Sequence, residues 1–377
     1  MRLALDILAV DPRRQIGVDA FVRNVLGSVE LDPSTSVLVA QPKDVDALSV
    51  LGDKFFARLS RVNFARYSVT SMVVRIILEM VVLGFRFFHH DVALSINNFG
   101  PLFGKRGQRR IVVIHDVWFV DAGYEGVWWK KAIFSTLMRI QVRRIDHIVT
   151  VSEFSRSAII QTLGVPRKKI SVIQNCIEKD PKTSCLKDIV DRLLKAQKES
   201  KGSDYLLLIG SDRPNKNVIR VLYAHKRLID HDANGPILRI VGSFSPQFIE
   251  QCEEIFANSR QAKLVFHGYV ERDAYEELIR RSKGVMFVSL YEGFGIPVIE
   301  AVSYGKQVLV SSGTVCEEVA GSAGIAVNGR DVEEIAIGIR ELWQSKKSMR
   351  IEEAEHILRG YIDCSAQAKK LRKLIEG

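Results

Sequence analysis

The stretch that most constrains this chain is residues 284–305, G-V-M-F-V-S-L-Y-E-G-F-G-I-P-V-I-E-A-V-S-Y-G. Its opening uncharged run has the length and residue types of a buried parallel strand. Glu292 then opens a turn built on Gly293, Phe294 and Gly295, with Ile296 after it. Pro297 falls where the first turn of a helix tolerates a missing N–H, and the helix carries Glu300. A strand that runs through a glycine turn into a helix N-terminus leaves backbone N–H groups free at a positive dipole end, a place for an anion such as phosphate. Two carboxylates flank the glycines, eight residues apart. Such groups accept paired hydrogen bonds from hydroxyls, so one suits a sugar and the other the ribose of the same nucleotide.

At 377 residues the chain is long enough for two domains of ordinary size, each with its own core. No run of about 18 uncharged apolar residues exists, and the short apolar start meets Asp11 too soon for a secretory signal. A chain made and kept in the cytoplasm is the expectation. Five cysteines (Cys176, Cys185, Cys252, Cys316 and Cys364) lack C-x-x-C spacing, which fits a reducing compartment and argues against a zinc site or a disulfide framework. Residues 1–203 hold 31 Lys and Arg against 20 Asp and Glu, and the remainder 23 against 24, so the whole excess of +10 sits in the first part. A basic first part predicts an acidic partner, nucleic acid or an anionic membrane.

Residues 2–10 read as a first strand, and the loop through Arg14, Gln15, Ile16 and Gly17 leads into a helix. Gly17 is either demanded by the turn or kept small for function. Residues 36–40 read as a second strand. Residues 55–90 are apolar and aromatic, interrupted by Arg58, Arg61, Arg66, Arg75 and Arg86. Such a segment cannot span a bilayer; it either lies in the interface or packs as a core helix with its arginines outward. Trp128, Trp129, Lys130 and Lys131, followed by Arg139, Arg143 and Arg144, repeat that chemistry. Residues 111–114 form a strand that delivers His115 and Asp116 to its carboxyl end, where open parallel sheets place ligands. A further strand at 147–151 precedes Ser152, a helix N-cap. The polar run 178–203 suits a linker. Strand 205–209 precedes Gly210-Ser211-Asp212-Arg213-Pro214-Asn215-Lys216-Asn217. Strands 237–241 and 264–266 follow, the latter leading into His267, Gly268, Tyr269 and Val270. Residues 308–312 are another strand, and a basic amphipathic helix closes the chain at 366–375.

The segment E-G-F-G-I-P-V-I-E-A resembles the E-x7-E motif of the retaining glycosyltransferases of family 4. The resemblance implies a GT-B fold of the α/β class, two Rossmann-like lobes with parallel sheets facing across an interdomain cleft. It runs through nearly the whole chain in order and is weakest over residues 44–108. It implies an acceptor-binding lobe at 1–180, a linker at 181–203, a nucleotide-sugar-binding lobe at 204–355 and a helix at 356–377 crossing back to the first lobe. Matched residue by residue, Glu292 meets the sugar, while Gly293, Phe294, Gly295, Ile296 and Glu300 hold the donor. Lys216 and Arg213 meet its diphosphate, Arg213 as a displaced substitute because Asn215 stands where the family has arginine. Tyr269 and Val270 flank the base, His115 approaches the transferred sugar, and Gly17 borders the donor and acceptor. Cys176 replaces a glycine of the family pattern, and Glu317, before Glu318, a proline. Asp44-Val45-Asp46 matches a metal-chelating D-x-D of a different glycosyltransferase fold, but precedes no buried strand and here begins a solvated helix.

The resemblance therefore predicts transfer of a sugar, with mannose as the guess, from a nucleoside diphosphate sugar to a lipid-linked saccharide in surface polysaccharide biosynthesis. Retention is expected, with no metal and no cofactor. Two cations neutralise the leaving diphosphate, and Glu292 orients the sugar without attacking it. The basic first lobe is expected to touch the anionic inner face of the cell membrane, with no nucleic acid partner. Two rivals stand: a nucleotide-sugar epimerase or hydrolase of the same fold, and a basic membrane-binding protein without activity. No G-x-G-x-x-G follows the first strand, which weighs against a dehydrogenase. A binder alone has no need of Glu292, Glu300 and Lys216 together.

Overall fold

Runs of Val, Leu and Ile too short for helices become strands here, because a parallel sheet with both faces covered buries every residue of the run. The computed structural model describes residues 1–11, 17–118, 120, 128–176, 185–200, 203–231, 235–257, 264–345, 349–361 and 363–377. They form two compact units, Met1–Glu178 with Gly360–Gly377, and Lys179–Arg359.

The first unit contains β1 (Arg2–Asp6), β2 (Ser36–Pro42), β3 (Arg61–Tyr67), β4 (Val92–Ser95), β5 (Arg109–Val113), β6 (His147–Thr150) and β7 (Ile170–Val172). They make one sheet in the order β3-β2-β1-β4-β5-β6-β7, every pair parallel. The second unit contains β8 (Tyr205–Ile209), β9 (Ile237–Val241), β10 (Leu264–Gly268), β11 (Val285–Phe287), β12 (Val308–Ser311) and β13 (Gly324–Val327), again all parallel, in the order β10-β9-β8-β11-β12-β13. The order reverses between β1 and β4 in one unit and between β8 and β11 in the other, and at such switch points loops splay apart above the carboxyl ends of the strands. Leu206, Leu208, Ile240, Met286 and Leu309 of the second sheet pack with Val221, Leu222, Ile335 and Ile339 of helices Val218–His231 and Val332–Gln344. Both lobes are α/β, as the sequence predicts.

Several expectations need correcting. The polar run 178–203 is not a bare linker: its described part includes the helix Cys185–Glu199, whose Leu193 and Ala196 are fully buried. Apolar residues three apart on an otherwise charged helix supply a narrow stripe, enough to dock it on the second unit, where Gln197 donates to the Met349 carbonyl at 3.1 Å. Residues 55–90 are not one helix. They split into the edge strand β3, which pairs only with β2 among the described strands, and a helical segment made of Met72–Ile77, a π-turn at Leu78–Val82, and Leu83–Arg86. Strand β3 is largely exposed, so its alternating pattern never shows as a buried run.

The cysteines, spaced as if for a reducing compartment, nevertheless include a bonded pair. Cys176 and Cys364 are joined, with their Cα atoms 5.6 Å apart. The closing helix Cys364–Glu376 belongs to the first unit, which brings together two thiols 188 residues apart in sequence. Arg109 donates to the Leu374 carbonyl at 2.6 Å, and Gln367 accepts from the Gln174 N–H at 3.2 Å, holding the same helix down. Asp46 caps the helix Ala47–Phe56 by accepting from the Leu48 N–H, the helix-starting role expected of that D-x-D. No helix among the described residues is long and apolar enough to cross a membrane.

Candidate active site

The functional turn of the second unit follows from backbone chemistry. Gly295 sits in the left-handed region at φ +89°, where an L side chain is strained, and it caps the helix Ile296–Ser303 with Pro297 in the first turn. A Cβ on Gly295 would also meet the Cys316 sulfur at 3.3 Å. Phe294 is buried, so the turn is anchored from beneath while Glu292 and Gly293 stay partly accessible.

The loop after β8 is tied to the loop after β11, across the switch point. Leu290 N–H donates to the Asn215 carbonyl at 2.8 Å, and Asn215 Nδ2 donates to the Tyr291 carbonyl at 3.0 Å. Asn217, itself left-handed at φ +59°, donates to the carbonyls of Val288 and Gly329 at 3.1 and 2.6 Å. These ties deliver Lys216 to Glu292, with Nζ and Oε1 2.6 Å apart and the ammonium 4.7 Å from the centre of the Phe287 ring. Asn215, which stands where the family has arginine, is thus a docking side chain here. Arg213 is exposed at the start of the short turn Pro214–Lys216, and Ser245 N–H donates to its neighbour Asp212 at 3.2 Å.

Glu300 is 9% exposed. Arg272 Nη1 donates to its Oε1 at 2.5 Å and the Tyr275 hydroxyl to its Oε2 at 2.9 Å. Neither partner was found from the sequence; both lie 25 or more residues away, on the helix Arg272–Arg281 that follows the Tyr269 turn. Tyr269 itself is 54% exposed, next to Gly268 at φ +66°. Val270 lines a separate hollow of about 450 Å³ with Tyr205, Arg239, His267 and Arg281; Lys216, Glu292 and Glu300 are not on its wall. Cys316 is a further neighbour that sequence reasoning missed. Burial, with the Glu292 charge adding to it, pushes its thiol far above the ordinary range, so it is inert packing beneath the turn.

Two predicted residues lie in the first unit. His115 follows β5 and is buried: its N–H bonds to Asn98 Oδ1 at 3.0 Å, its Nε2 lies 2.9 Å from the Ile96 carbonyl, and Phe21 meets its ring edge-on. Burial holds its pKa down at about 4, so the ring is neutral near pH 7 and donates through Nε2. Gly17 begins the helix Gly17–Ala20, and its carbonyl accepts from Asn175 at 3.4 Å. Its φ is not left-handed and no described atom lies where a Cβ would go, so turn geometry does not account for it. Arg14, Gln15 and Ile16, before it, lie outside the described residues.

A family model described as "Glycosyltransferase Family 4" matches residues 54–180, and one described as "Glycosyl transferases group 1" matches residues 190–356. The chain is similar to the O-antigen chain mannosyltransferase B of Escherichia coli, 29% identical over 60% of this chain and 60% of that protein. It is also similar to the O-antigen chain mannosyltransferase RfbU of Salmonella typhimurium, 27% identical over 68% of this chain and 64% of that protein. The matches thus span somewhat under two thirds of these relatives' lengths. Among solved structures, Anabaena HepE in complex with UDP-glucose superposes with a TM-score of 0.68 at 14% identity, covering 100% of this chain and 99% of that one, a likeness of fold.

Proposed function

We infer the reaction from one premise, that the chain belongs to the glycosyltransferases of family 4: it moves a sugar from a nucleoside diphosphate sugar to a saccharide acceptor during assembly of a surface polysaccharide. The observation that carries this reading is the Lys216–Glu292 pair, 2.6 Å apart beside a helix N-terminus capped by a left-handed glycine. A departing diphosphate develops negative charge. A compact ammonium at Lys216, an exposed guanidinium at Arg213 and the N–H groups of Gly293 to Gly295 are the groups that stabilise it.

In this reading the two cations serve where a metal otherwise would, and no protein nucleophile takes part. The leaving phosphate accepts the proton of the acceptor hydroxyl, which enters on the same face, so the anomeric configuration is retained. Glu292 orients the sugar and supports its positive charge. Glu300 receives the ribose, Phe294 and Ile296 shape the donor turn, and Tyr269 and Val270 flank the base. On the first unit, His115, whose Nε2–H is held by the Ile96 carbonyl, offers Nδ1 as an acceptor to a hydroxyl of the transferred sugar, and Gly17 leaves room beside it. The names of the two relatives favour mannose.

The acceptor we favour is a lipid-linked saccharide at the cytoplasmic face of the membrane. Val73, Ile77, Val81 and Phe85 are exposed at intervals of four along the helical segment 72–86, with Phe85 71% exposed. A stripe of that kind beside Arg86, on a unit that also exposes Trp128 by 78%, suits the interface of an anionic bilayer.

The decisive experiment offers a panel of nucleotide sugars and lipid-linked saccharides, with and without a chelator, and reads the product and its anomeric configuration. Transfer with retention in chelator is the expected result. An epimerised nucleotide sugar, or free sugar with no transfer product, would instead support an epimerase or hydrolase. Indifference to anionic vesicles at low salt would remove the membrane contact and leave the transfer reaction standing.

A further inference from the structure

The helix Arg272–Arg281 places Arg272, Tyr275 and Glu276 on one face, at spacings of three and four. That face meets Glu300. Arg272 Nη1 donates to Glu300 Oε1 at 2.5 Å, while the Tyr275 hydroxyl donates to Glu300 Oε2 at 2.9 Å, so each carboxylate oxygen has its own donor. Arg272 is itself fixed: its Nε donates to Glu276 Oε1 at 2.6 Å, and Glu276 Oε2 accepts from the Tyr304 hydroxyl at 2.6 Å. The guanidinium also lies 5.9 Å from the centre of the Tyr275 ring. Glu300 is thus the end of a chain of five side chains whose bonds fix one another's planes.

A carboxylate offers about four lone-pair directions, two on each oxygen. The two donors take one on each oxygen, which leaves one on each facing elsewhere in a fixed plane. That is the pattern two neighbouring hydroxyls require. A bond to a charged group also depends steeply on direction. The geometry points to Arg272 and Tyr275 as positioning residues that aim Glu300 at the 2′- and 3′-hydroxyls of the donor's ribose and so determine its preference for ribonucleotides. Burial and the nearby Glu300 charge push the Tyr275 hydroxyl well above the ordinary phenol range, so it remains a donor at every working pH. This inference rests on the reading of Glu300 as the ribose-binding carboxylate.

The test is calorimetric titration of the full chain with UDP, GDP and their 2′-deoxy forms. For whichever nucleotide binds, the wild-type protein is expected to prefer the ribose form by about 10- to 100-fold, the effect of one hydroxyl bonded to a charged group. In Tyr275→Phe and Arg272→Lys, affinity for the ribose form should fall until that preference is threefold or less. Affinity for the deoxy form should hold within about threefold, and the melting temperature should stay close to wild type. A purely structural role weakens both forms together and leaves the preference intact; that result overturns the inference. Glu300→Gln separates the two layers. If it keeps the wild-type preference, or if neither nucleotide binds the wild-type protein, the ribose reading itself fails. If it loses the preference while Tyr275→Phe and Arg272→Lys keep it, Glu300 binds ribose without their help and only the positioning role is lost.

Discussion

Each unit carries an arginine beside a nearly buried glutamate close to its switch point, and the two pairs differ in what completes them. In the second unit, Glu300 meets a guanidinium and a phenol, one donor to each oxygen. In the first unit, Glu79 is 1% exposed, and although Arg75 Nε approaches to 3.4 Å the angle is wrong for a hydrogen bond. Neither Glu79 oxygen finds a donor among the described residues, nor does Asp6 Oδ2 at the end of β1, although Asp6 Oδ1 accepts from the Leu8 N–H at 3.0 Å. Burial therefore dominates there. It pushes Asp6 up to about 6 and Glu79 well above the carboxylate range, the Asp6 charge adding to the effect on Glu79. Burial alone does not decide how a carboxyl is held: Glu300 has an aimed donor on each oxygen, whereas Asp6 and Glu79, short of donors, hold their protons to higher pH than an ordinary carboxylate.

The contrast predicts a division of labour, with the acids and cations of the second unit serving the ligand and the acid pair of the first affecting only stability. The largest effect is expected from Lys216→Ala, which should lower transfer by about 100- to 1,000-fold, the range for loss of one charge-stabilising group, with no change in melting temperature. Steady-state turnover beside thermal unfolding checks this. Glu79→Gln should keep transfer within a few-fold of wild type in the same assay, and a loss as deep as that of Lys216→Ala would break the contrast.

Next in size is the covalent tie. Cys364→Ser should lower the unfolding free energy by about 2–4 kcal/mol in non-reducing urea titrations and by little when the wild-type protein is compared in reductant.

The acid pair is read through pH. The folded state keeps protons on Asp6 and Glu79 that the unfolded chain gives up above its ordinary carboxylate range, so their contribution falls as pH rises from about 4 through about 6. His115 acts oppositely. Its folded pKa lies near 4, so stability is lost as pH drops from about 6.5 toward 4. Asp6→Asn should therefore stabilise by roughly 1–3 kcal/mol above pH 6, have little effect near pH 4, and expose the rising limb due to His115. A pH profile parallel to wild type would show that the pair is not protonated as described. Smallest is Phe85→Ser, expected to shift stability by under about 0.5 kcal/mol because the ring is mostly exposed, while weakening adsorption to anionic vesicles.

What the sequence reveals follows from the range of the physics involved. The glycine turn at 293–295 is legible because a left-handed cap, a first-turn proline and a buried strand each leave a local mark. For the same reason β8 and β9 fall at the predicted residues, Tyr205–Ile209 and Ile237–Val241. Edge strand β3 is missed because half-exposed arginines imitate an amphipathic helix. Arg272 and Tyr275 are invisible as partners of Glu300, since nothing in their own neighbourhood marks a contact with a helix more than 20 residues on. Asn215 looks like a defect in a cationic motif until its two bonds to the β11 loop are seen. The ring of His115 is legible by place, at a strand's carboxyl end, but not by its bond to Ile96.

The Cys176–Cys364 bond closes a covalent loop in the chain. Because it encircles everything from residue 177 to residue 363, a protease that nicks the chain once anywhere in that span yields fragments that stay together on a denaturing gel and separate only after thiol treatment. Digestion patterns run with and without reductant therefore report, without any assay of activity, whether the bridge is closed in the cell.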